Sequence, residues 1–192
     1  MRPTRSGYAL SGFGEYAVQL QGKIVFSYSC FLTEDTRMSF HLSGIDPGLY
    51  ADLFVLDDET LRQFGAMRCS ADSDHGFPCR VSLQDARRGE DLLLLSYEHQ
   101  PAASPYRASG PIFVRRGASR AVLPQGVVPP YVSSRLISLR AYNGADMMID
   151  ADVHEGEHVA LALARLFDDP AVAYVHLHNA RQGCFSCVAL RS

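Results

Sequence analysis

The chain has 192 residues, 47% hydrophobic and 20% charged, with a formal net charge of −3 and a mean hydropathy of −0.05. These values exclude a disordered polar chain and a helical membrane protein, and the length suffices to bury a core without cross-links. A pI near 6.1 and the lack of a basic stripe with interleaved aromatics disfavour nucleic acid as a partner.

Five cysteines, an odd number, in a chain with no stretch that reads as a secretory leader predict reduced thiols in a cytoplasmic setting. Eighteen residues are basic, and Lys23 is the single lysine among them. Nearly every cation is thus a planar fork able to grip carboxylate or phosphate with two N–H donors.

In chain order, residues 1 to 37 hold four glycines and scattered hydroxyls and aromatics with no sustained period, which predicts a poorly ordered extension. Met38, an alternative start, opens the alternating M-S-F-H-L-S-G-I, a first strand. Asp46-Pro47 and Asp57 or Asp58, with Gly65 as a stop, predict two short helices. P-C-R-V-S-L and D-L-L-L-L-S-Y-E-H read as strands. The proline-rich stretch 100 to 111 reads as a fixed loop before strand I-F-V-R-R.

Further on, S-R-L-I-S-L-R-A-Y alternates, with Ile137, Leu139 and Ala141 on one face and Ser138, Arg140 and Tyr142 on the other. M-M-I-D-A-D sets Asp150 and Asp152 on one face. Apolar residues at 159, 162, 163, 166 and 167 predict an amphipathic helix within 155 to 168, closed by Asp169-Pro170. One crossover helix among many short elements predicts a single α+β domain over 38 to 192 with a mainly antiparallel sheet.

P-C-R-V-S-L, L-L-L-L-S-Y-E-H-Q-P, S-P-Y-R-A-S-G-P-I-F-V-R, S-L-R-A-Y, M-M-I-D-A-D-V and A-Y-V-H-L-H-N-A-R-Q-G-C-F together resemble a bacterial family known as domain of unknown function 1203, over 38 to 190. The resemblance implies domain boundaries and no activity. It also implies that Cys187, which members usually lack, stands outside any common site.

The stretch Y-V-H-L-H-N-A-R-Q-G-C-F-S-C, 174 to 187, concentrates chemistry. On a strand His176 and His178 point the same way. A regular five-residue hairpin loop would place His178 opposite Cys184 and Val175 opposite Cys187, leaving Cys187 among apolar residues. Cys184 and Cys187 then diverge, which argues against a four-ligand zinc site. Beside His178, Cys184 reads as a candidate nucleophile with an imidazole base. His154 and His158 fall in H-E-G-E-H, which has the H-E-x-x-H spacing, but the segment spans a predicted helix start instead of lying within one helix, so the two read as surface residues near a cap.

The candidate set is therefore Cys184 and His178 as catalytic residues, with His176, Arg181, Arg107, Arg140, Asp152 and His99 as ligand-binding residues. The implied ligand is a small anion held by arginine forks, with no metal assigned. A divalent ion on histidines and carboxylates is the competing use of the same groups, and a cross-strand pair such as Arg140 with Asp150 is the plain one. A Cys/His enzyme and a small-molecule binder are both compatible with this set. The alternative is an interaction module whose polar cluster is structural.

Overall fold

The computed structural model describes residues 40–192 and, ahead of them, the backbone of an antiparallel hairpin, β1 (Tyr16–Leu20) with β2 (Lys23–Ser27). The chain divides into units Met1–Thr36 and Arg37–Ser192, and the rest concerns the second. Most of the predicted extension lies outside the described residues.

The second unit contains β3 (Phe40–Ser43), α1 (Asp58–Gln63), β4 (Ala66–Ser70), the two-residue strands β5 (Pro78–Cys79) and β6 (Gln84–Asp85), β7 (Asp91–Gln100) and β8 (Ala108–Arg115). Then come α2 (Pro130–Ser133), β9 (Leu136–Tyr142), β10 (Met148–Glu155), α3 (Val159–Asp168), β11 (Tyr174–Asn179) and β12 (Phe185–Arg191). One five-stranded sheet has the order β10-β9-β11-β12-β3 and a second the order β4-β7-β8-β5-β6. All pairings are antiparallel except the single β5–β8 bridge, Cys79 with Phe113, so the fold is α+β as predicted.

The alternation read in β9 is the one formed. Ile137, Leu139 and Ala141 join Val175, Leu177, Cys187 and Ala189 in a core closed by Val159, Ala162, Leu163 and Phe167 of α3. The Arg191 guanidinium donates to the carbonyls of Phe167 (2.7 Å), Asp169 (3.0 Å) and Val172 (2.9 Å), which ties the last strand to the carbonyl end of α3. A second core joins the two sheets, with Leu93, Leu95, Ile112 and Val114 against Phe185 and the half-buried Val188. The unit is thus layered as helix, first sheet, second sheet.

Several elements differ from expectation. The first predicted helix is a pair of 3-10 turns, Pro47–Leu49 and Ala51–Val55, with Asp46 Oδ1 accepting from Gly48 N–H. The second is α1, whose N-cap Asp57 accepts from Thr60 N–H at 2.8 Å and which stops before Gly65 at φ +63°. P-C-R-V-S-L gives only the short β5, because Arg80 turns inward and its Nε donates to Phe185 O at 2.8 Å. Strand β8 begins inside the predicted loop. Its Pro111 faces Ser96 of β7, and β5 meets β8 only at Phe113, so no partner needs the missing N–H.

At the other end, β10 runs to Glu155, and one 3-10 turn, Gly156–His158, precedes α3. A Cβ on Gly156 would lie 2.3 Å from Val132 O, so only glycine permits this approach.

Candidate functional site

The face of the first sheet that looks toward the second follows from register. Because Ile137, Leu139 and Ala141 face the helix, Ser138, Arg140 and Tyr142 face the other way. Strand β11 pairs His178 with Ser138, His176 with Arg140 and Tyr174 with Tyr142, and β12 adds Phe185 opposite His178 and Val188 opposite His176. Two imidazoles, a guanidinium and three aromatic rings therefore share one face.

A third imidazole arrives from the second sheet. The β7–β8 ladder pairs Glu98 with Ser109 but Gln100 with Ala108, so His99 is an extra residue in a β-bulge. A regular strand would send His99 and Gln100 to opposite faces. Here both reach the first sheet: Gln100 Nε2 donates to Tyr174 Oη at 2.7 Å, and the His99 ring stacks on Phe185 at 5.3 Å. Its centroid is 4.9 Å from that of His178 and 5.8 Å from that of His176.

One ring nitrogen from each of His99, His176 and His178 lies within 4.8 Å of the other two. His99 Nδ1, His176 Nδ1 and His178 Nε2 are buried with no hydrogen-bond partner among the described residues. His178 Nδ1 is 3.0 Å from Gly183 O, and since a carbonyl only accepts, that nitrogen carries the proton. His178 Nε2 is thereby left as a free lone pair, the arrangement by which metal-bound histidines are oriented.

Burial and then the neighbouring His178, His99 and Arg140 push His176 down to about 3. Burial also pushes His178 down to about 4, against the opposing bond to Gly183 O, and it lowers His99, with Arg140 acting in the same direction. His176 and His178 are therefore neutral at neutral pH, the form that offers lone pairs.

Beside the trio, Tyr174 Oη donates to Asp146 Oδ1 at 2.6 Å while accepting from Gln100. Burial, then the bond to Asp146, raises its phenol to about 12. Gln100 is buried, so Tyr174→Phe leaves its amide without that acceptor. The substitution is expected to cost about 1–2 kcal/mol in chemical denaturation and to spare the histidines.

The other predicted residues fall elsewhere. The expected pairing of His178 with Cys184 is not the register formed: His178 faces Phe185 and Leu177 faces Cys187, with Ser186 the extra residue between. Gly183 sits at φ +75°, Phe185 enters the space between the sheets, and Ser186 bonds Tyr131 Oη at 3.2 Å. Cys184 stays half-exposed at the loop, its Sγ 3.8 Å from Gln182 O, so the nucleophile-and-base reading loses its cross-strand contact. Cys187 lies with the apolar residues as expected, and burial raises its thiol to about 12.

Asp152 faces the helix side of β10, opposite Leu139, and meets His154 at 3.1 Å. Ala151, not Asp150, stands opposite Arg140, and Arg140 has no carboxylate partner among the described residues. Arg107 is spent on Glu98 at 2.6 Å, and Arg181 is on the exposed hairpin loop. Of the predicted set, the structure gathers His99, His176, His178 and Arg140. Sequence reasoning missed Tyr174 and Phe185 beside them, although Tyr174 shares the parity of the two strand histidines.

Three imidazoles converging between two antiparallel sheets define an α+β protein with a candidate all-histidine centre. The chain belongs to the family described as protein of unknown function (DUF1203), whose sequence model matches residues 76–191. The matched span holds the three histidines and Arg140. No curated protein and no solved structure matches the chain.

Proposed function

We propose that the protein binds a divalent transition metal through His99, His176 and His178 and offers its open coordination position to a small anion. The observation that carries this reading is that His99, His176 and His178 each bring one ring nitrogen within 4.8 Å of the other two, and each has a buried ring nitrogen without a partner among the described residues. Buried polar atoms left unpaired cost free energy, and a structural cluster would pair them with one another or with carbonyls. Nitrogens bound tetrahedrally at about 2.0–2.1 Å from zinc stand about 3.3 Å apart. Small side-chain rotations bring the trio to that spacing.

Three neutral ligands leave the charge of the ion uncompensated, and Arg140 adds another positive charge on the same face. The fourth position therefore favours an oxyanion such as a carboxylate or phosphate, with the Arg140 fork as its second anchor. A bound ion would supply Lewis acidity to that ligand. His99 and Arg140 are half-buried, and the Tyr142 ring packs against Tyr174 and His176 beside them.

Titration of metal-stripped protein with cobalt(II) tests this. One ion per chain is expected, with visible bands that change when acetate or phosphate is added. Arg140→Gln should keep the stoichiometry and weaken the anion response about tenfold. A wild-type chain that takes up no stoichiometric ion overturns the proposal.

A further inference from the structure

We infer that the protein has a second binding site, for a small zwitterion bearing both an ammonium and a carboxylate, at the base of the β11–β12 hairpin. A cavity of about 290 Å³ lies there, bounded by the end of α2, the start of β9, the end of β10 and the hairpin loop. Its wall includes Arg135, Glu155, Asn179, Arg181 and Gln182, and Leu136 is its apolar member. Asn179 stands opposite Ile137, on the helix-facing side of the sheet, whereas the preceding His178 faces the other way. The site is therefore separate from the histidine trio.

Asn179 points to a ligand. The residue is 6% exposed, and its Oδ1 is buried with no donor among the described residues. Its backbone is fully engaged, with N–H donating to Cys184 O at 2.9 Å and C=O accepting from Gly183 N–H at 2.8 Å. Its side-chain Oδ1 is the buried atom left wanting.

The charges point the same way. Arg135 is a fixed wall, its guanidinium held by both carboxylate oxygens of Asp85 at 2.7 Å and by Tyr131 O. Glu155 and Arg181 line the same cavity, yet neither forms an ion pair with the other or with any described residue. Opposite charges on one small cavity that do not meet leave a gap which a doubly charged ligand can bridge.

The complementary chemistry follows. An ammonium supplies the cation for Glu155 and a donor for Asn179 Oδ1, while a carboxylate accepts from the Arg181 fork and the Gln182 amide. A free α-amino acid carries both groups at a size this space accommodates.

The test is calorimetric titration of metal-stripped wild-type protein with the proteinogenic amino acids, followed by the N-acetyl and amide forms of the best binder. At least one amino acid should bind, and blocking either end should weaken it about tenfold or more. Arg181 and Glu155 are exposed, so Arg181→Gln and Glu155→Gln should fold normally. The first should no longer distinguish the amide and the second should no longer distinguish the N-acetyl form. Absence of binding across the panel, equal binding of blocked and free forms, or discrimination that survives both substitutions overturns the inference.

Discussion

His176→Ala is expected to abolish stoichiometric metal uptake. His176 lies between Arg140 and Val188, contributes one ring nitrogen to the trio, and has a buried Nδ1 without a partner among the described residues. Loss of groups that merely support a ligand lowers affinity about 10–100-fold, so loss of a ligand should exceed that. The effect reads out in stability as well. An ion at about a thousand times its dissociation constant stabilises the wild type by about 4 kcal/mol, and the variant should show no such gain. His154→Ala and His158→Ala provide the contrast, because these residues lie outside the trio and should leave uptake intact. If they removed uptake while His176→Ala retained it, the ion would sit on the helix-side surface and the central proposal would fail.

In metal-free protein, stability should fall steeply in mild acid. Burial disfavours the charged forms of His176 and His178 and pushes them down to about 3 and about 4 in the folded chain, from the ordinary imidazole value of 6.5. Above about 6.5 both folded and unfolded imidazoles are neutral, and the chain has its full stability. Below that value the unfolded chain takes up protons that the folded chain refuses. Each histidine then costs about 1.4 kcal/mol per pH unit until its folded value is reached. Together the loss is on the order of several kcal/mol near pH 4, a large share of the typical 5–15 kcal/mol of a domain. Urea midpoints measured from neutral to acid pH should show this slope, and His176→Gln combined with His178→Gln should flatten it. A wild-type midpoint that stays level down to about pH 5 would contradict the buried, neutral trio.

The sequence made some of this arrangement legible and hid the rest for definable reasons. Alternation in β9 placed Ile137, Leu139 and Ala141 on the core face and Arg140 on the other, and H-x-H parity placed His176 and His178 together; both hold because these segments are regular strands. The hairpin register did not follow from loop length, since the positive φ of Gly183 and the extra Ser186 depend on where Phe185 finds apolar neighbours in the other sheet. His99 could be named as a polar strand end, but its meeting with His176 spans two sheets, a contact that no local pattern encodes. Arg107, Arg181 and Asp152 lie away from the histidine trio. One is held by Glu98, one sits on a loop, and one faces α3.

The additional residue in β7 carries a consequence for sequence length. Removing one position between Tyr97 and Gln100 would restore a regular ladder, and either the imidazole or the amide would then swing out to water. Gaps in aligned relatives should therefore avoid this point while remaining tolerable in the turn at 101 to 107. Substituting a neighbouring side chain should be milder than deleting a single backbone step.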